Sequence, residues 1–88
     1  MATTTYDTTA EWSASARYTA ADDTDVLISN PSALTRLSFT ITDSDTLPTT
    51  SVTRGSLVAR ESSQDIALVS GERLWLASPQ PSSAAIEV

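Results

Sequence analysis

Arg36-Leu37-Ser38-Phe39-Thr40-Ile41-Thr42 decides the fold class of this 88-residue chain. Leu37, Phe39 and Ile41 occupy every second position, with Arg36, Ser38, Thr40 and Thr42 between them. An extended backbone therefore gathers the apolar side chains on one face and the polar ones on the other, which is the pattern of a half-buried β-strand.

The flanking sequence repeats the theme in shorter pieces. Upstream, Val26-Leu27-Ile28 is an apolar run that Asn30-Pro31 ends, because proline lacks a ladder donor and restrains the residue before it. Before that run, Ala20 to Asp25 reads as a polar turn. Trp12, Ala14, Ala16 and Tyr18 alternate with Ser13, Ser15 and Arg17 as a first strand. Downstream, Asp43 to Thr50 is a loop of turn formers, and Gly55 opens a strand over Ser56-Leu57-Val58-Ala59. A polar turn, Glu61 to Gln64, leads to Ile66-Ala67-Leu68-Val69. Ser70-Gly71 is a tight-turn signal before Glu72 to Ala77. The Pro79-Gln80-Pro81 corner precedes a last strand over Ala84 to Val88, where the Ala and Glu content offers a short helix as the competing reading.

About seven short strands at roughly ten-residue spacing predict an all-β fold, a small antiparallel β-sandwich or barrel. Ser and Thr, roughly a third of the residues, disfavour long helices, and Thr suits a pleated surface. Residues 1–11 carry one aromatic and no apolar periodicity. They are expected to form an extended N-terminal arm outside a single β domain, 12–88, so that deleting them should spare the fold and weaken attachment to a partner.

A domain this small buries a modest share of its surface. With no Cys and no His, it lacks disulfides and the usual ligands of a structural zinc site. Oligomerisation is the remaining common source of stability, so a homo-oligomer or docked subunit is expected. Eleven acidic residues against five Arg give a net charge of −6, which repels nucleic-acid backbones. No apolar run approaches membrane-spanning length, and Met1 to Tyr6 lacks the basic flank and apolar core of an export signal, so no membrane association and no Sec export are expected.

Nucleophilic catalysis by Ser or Thr needs a base such as His or Lys, and the chain has neither; thiol chemistry needs Cys. An enzyme is therefore not expected, nor a cofactor. Asp22-Asp23-Thr24-Asp25 and Asp43-Ser44-Asp45 offer oxygen ligands for Ca²⁺ if the fold brings Asp22, Asp23, Asp25, Asp43 and Asp45 to one edge, although Asp is also a favoured turn residue. Arg36, Arg54, Arg60 and Arg73 are scattered among acids, as in surface ion pairs or inter-subunit pairs. Trp12, Tyr18 and Trp75 could stack on a sugar ring, but their strand positions favour core or interface. In Leu74-Trp75-Leu76 both faces are apolar, so this strand is buried on both sides or meets another chain. The candidate interface is accordingly Tyr6, Trp12, Leu74, Trp75 and Leu76.

The Thr/Ser-rich arm, Val26-Leu27-Ile28-Ser29-Asn30-Pro31, the Leu37–Ile41 strand, the Leu47-Pro48 loop and Ser70-Gly71-Glu72-Arg73-Leu74-Trp75-Leu76 together resemble small all-β structural proteins of tailed phages, and are most similar in style to head decoration (cement) proteins. The resemblance spans residues 12–88 as an order of elements and transfers no binding-site residue. It implies a virion structural protein, made in the host cytoplasm and located on the capsid surface. The implied partners are the major capsid protein or another virion protein and sister copies, with a homotrimer favoured. Tail- or fibre-associated β modules share the style, and a small carbohydrate-binding module is a further alternative.

Overall fold

A computed structural model describes residues 3–88. The alternation at Leu37 to Thr42 becomes one of eight strands, β1 Thr3–Thr8, β2 Arg17–Thr19, β3 Thr24–Asn30, β4 Leu37–Thr42, β5 Ser56–Val58, β6 Ser62–Leu68, β7 Arg73–Ala77 and β8 Ser82–Glu87. They form two four-stranded sheets, β1-β8-β3-β6 and β2-β7-β4-β5. All paired strands are antiparallel. Only the β4–β5 connection joins neighbours within one sheet; every other connection passes from one sheet to the other. This is the strand order of a jelly roll, two Greek keys packed face to face. The predicted small antiparallel sandwich is therefore the observed architecture.

The inner faces follow the period of two. From the first sheet Val26, Ile28, Leu68, Ala84 and Ile86 point inward, and from the second Leu37, Phe39, Val58, Leu74 and Leu76, all of them buried. Burying each large aliphatic side chain contributes about 1.5–3 kcal/mol. A core of this size leaves little reserve against the entropy of ordering the chain.

Three segments depart from the sequence reading. Residues 3–8, expected in the arm, are strand β1, paired with β8 from Thr3↔Glu87 to Thr8↔Ser82. Tyr6 packs against the core and Thr8 is buried, its hydroxyl 2.7 Å from that of Ser78. Thr has high β propensity, and a strand at a sheet edge needs only a thin apolar face, so the segment pairs without an apolar stripe. Met1 and Ala2 lie outside the described residues. The expected strand over Trp12 to Tyr18 is instead a 3-10 turn, Ala14–Ala16, followed by β2. Ser13 caps the turn, its hydroxyl accepting from Ser15 N at 3.2 Å, so Trp12 leaves the line of Ala16 and Tyr18. Finally, the polar residues from Ser62 to Gln64 form the first half of β6, held by the ladder to β3.

Candidate interaction surface

Alternation along β7 puts Leu74 and Leu76 in the sandwich core and Trp75 on the opposite, outer face. All three have 0 % exposure. Arg17 on β2 lies directly across from Trp75 and holds its guanidinium carbon 5.2 Å from the ring centroid, a cation–π arrangement. Trp75 Nε1 donates to Thr42 Oγ1 at 2.8 Å. The long β4–β5 loop is tied to this side. Asp45 accepts from Arg73 Nε at 2.9 Å and lies 3.5 Å from Arg17 Nη1, while Thr50 O accepts from Trp12 Nε1 at 2.7 Å. The chain thus encloses its own two-sided apolar strand. The expectation that Leu74, Trp75 and Leu76 meet a sister subunit is corrected: no surface of theirs is left to offer. Trp75 is equally closed to a sugar. Tyr6 packs on the core margin, where burial and then the neighbouring Tyr18 raise its phenol pKa. Trp12 remains half-buried against Gly55.

The five aspartates named from sequence do not form a cation cage. Among the described residues no three His, Cys, Asp or Glu side chains converge. Asp45 is taken up by the two arginines. The hydrogen bond from Arg73, chiefly, and then the Arg17 and Arg73 charges, against an opposing desolvation, hold its carboxyl below the ordinary aspartate range. Asp23 Oδ1 accepts from Ser70 N at 2.8 Å and braces the β6–β7 turn. Asp22 precedes it on the β2–β3 turn, and Asp25 lies in β3 opposite Ala67. Asp43 contributes its backbone carbonyl to Arg73.

An open groove of about 680 Å3 lies at the other end of the sandwich. Leu34, Thr35 and Arg36 of the β3–β4 connection form one wall, Leu57, Ala59 and Arg60 the other, and Pro79 and Gln80 close the end. Leu34 is 83 % exposed and Leu57 48 %. The two ion pairs among the described residues are both made by Asp45. Arg36 and Arg60 make no ion pair among the described residues and line the groove beside exposed leucines, in a chain that is acidic overall.

Asn30, only 3 % exposed, builds this groove. Its Nδ2 donates to Thr35 O at 3.0 Å, Val58 O at 3.3 Å and Ala59 O at 3.2 Å, and its Oδ1 accepts from Ser32 N at 3.2 Å. Ser32 then accepts through Oγ from Leu34 N and Thr35 N, each at 3.1 Å. One amide side chain thus ties both walls together and fixes the backbone that displays Leu34, Arg36 and Leu57. The sequence reading used Asn30 only as a strand terminator. Its spacing to Ser32, which suits an Asx turn, was the available local signal. Nothing local marks Leu34 and Leu57 as neighbours. Chemically the surface can bury an apolar side chain between two guanidinium groups, which suits an acidic, partly apolar partner segment. Among the described residues no helix is long and apolar enough to cross a membrane.

Comparison with protein-family models, with curated proteins and with solved structures finds no match for this chain.

Proposed function

We propose that the chain is a non-catalytic structural protein of a phage virion, a decoration protein that binds the head surface and stabilises it. The observation that carries the reading is the strand order β1-β8-β3-β6 over β2-β7-β4-β5, the jelly roll that viral capsid domains share with lectins and cupins. Two features support it. The chain has none of the His, Cys or Lys side chains on which nucleophilic and thiol catalysis rely. An open groove lined by two leucines and two arginines suits a protein segment. The partner under this reading is the major capsid protein or another virion protein, and the site of action is the capsid surface. Closure of Trp75 within the chain takes away one of the three rings on which a carbohydrate-binding platform would draw.

The test is the protein content of particles. Virions produced by a strain carrying this gene would be purified by density gradient, separated into heads and tails, and quantified by mass spectrometry. Copy numbers comparable to those of the major capsid protein, in the head fraction, are expected. Recovery with tails alone would reassign the chain to a tail or fibre module, and absence from particles would overturn the proposal.

A further inference from the structure

We infer that the groove between Leu34 and Leu57 receives the β6–β7 turn of a second copy, so that chains associate head to tail. The two ends of the β3–β6 ladder differ in charge while sharing an apolar centre. At the Asn30↔Ser62 end lie Leu34, Leu57, Arg36 and Arg60. At the Thr24↔Leu68 end, about 20 Å away along the strands, Val69 projects at 56 % exposure beside Asp25 of β3, and Asp22 lies on the β2–β3 turn next to Asp23, which accepts from Ser70 N. Neither Asp22 nor Asp25 enters an ion pair among the described residues, and neither do Arg36 and Arg60.

Val69 beside the carboxylates of this end is the complement of a groove lined by leucines and guanidinium groups. Like ends repel, because two arginine grooves or two aspartate turns cannot face each other, so charge selects the head-to-tail pairing over an isologous one. Such an interface is heterologous: it closes into a ring if the rotation per copy permits and otherwise extends as a fibre. Both surfaces stand on rigid backbone. Asn30 holds the groove walls, and Asp23 together with Glu72, whose Oε1 accepts from Val69 N at 2.8 Å, holds the turn. The inference is independent of whether the chain enters a virion.

The experiment is light scattering with analytical ultracentrifugation over a concentration series. It uses wild type, a groove variant (Arg36→Glu with Arg60→Glu), a turn variant (Asp22→Arg with Asp25→Arg), an equimolar mixture of the two, and the chain carrying all four changes. Near-UV circular dichroism checks that each is folded, and Leu57→Ser serves as a milder groove variant should the charge reversal unfold it. Wild type should self-associate, more weakly at high salt, and each variant alone should associate roughly tenfold or more weakly. The mixture should associate with the two variants alternating, since the intact groove meets the intact turn and the acidic groove of one variant meets the arginine turn of the other. The fourfold variant should regain association. A wild type that stays monomeric up to millimolar concentration, variants that associate as wild type does, or a mixture that associates no more than the separate variants would each overturn the inference.

Discussion

Replacing Asn30 tests the tie on which the groove depends. In Asn30→Ala the carbonyl groups of Thr35 and Val58 lose their donor in a buried setting, while that of Ala59, on an exposed residue, can turn to water. A hydrogen bond contributes about 1 kcal/mol net, and a buried acceptor left alone costs about 1–3 kcal/mol, so the two orphaned carbonyls and the freed Ser32 N–H together predict a loss of about 3 kcal/mol. A domain of this length holds roughly 4–13 kcal/mol in total. With a urea slope of about 1–1.5 kcal/mol per molar, the unfolding midpoint should fall by about 2–3 M. Asn30→Asp sharpens the test through pH. The carboxyl can donate only when protonated, and then offers one proton where Asn30 offers two. Its folded pKa is therefore raised above the unfolded value of about 4, and the folded state holds the proton longer. The deficit relative to wild type should be smallest below about pH 4 and grow by about 1.4 kcal/mol per pH unit until the folded pKa is passed. Urea titrations of both variants at pH 3, 5 and 7 read this directly. A loss under about 1 kcal/mol in Asn30→Ala, or a pH-independent deficit in Asn30→Asp, would refute the role given to Asn30.

Three other outcomes follow from the packing. Trp75→Ala should cost about 3–5 kcal/mol by thermal or urea unfolding, as for any enclosed aromatic, whereas a loss below about 1 kcal/mol would mean the outer face is open. Gly55→Ala should destabilise by about 1–3 kcal/mol although its φ of −68° suits alanine, because the new Cβ would meet Phe39 O at 2.9 Å and the Trp12 ring at 3.2 Å; a shifted Trp12 fluorescence should accompany it, and a stabilised variant would contradict the contact. Arg73→Gln should raise the titration midpoint of the Asp45 carboxyl toward the ordinary aspartate value, seen by NMR, and an unmoved midpoint would remove Arg73 as the cause of the depression. In wild type that depressed pKa makes the pair's contribution present above the unfolded value near pH 4 and lost as pH falls through the lower folded one.

The candidate site was less legible than the fold. Leu74-Trp75-Leu76 correctly announced a strand with two apolar faces, and the choice between self-enclosure and a partner rested on what lay over Trp75. Arg17 and Asp45, distant in sequence, supply that cover. The interface residues chosen from apolar pattern were those that the chain buries. The exposed leucines lie in a loop and at a sheet edge, where the surrounding pattern is weak.

What the sequence by itself determined is the local part. The alternation at Leu37 to Thr42, the Asn30-Pro31 stop and the Gly71 turn, with φ of 89°, set strands of the right kind in nearly the right places, because side-chain period and turn chemistry act over a few residues. Tertiary structure alone decided the rest. It paired Thr3 with Glu87 across almost the whole chain, alternated successive strands between sheets, closed Trp75 beneath Arg17, and brought Leu34 beside Leu57 through the amide of Asn30. Each of these matches groups far apart in sequence, and which match prevails depends on burying apolar surface and satisfying polar groups across the whole molecule at once.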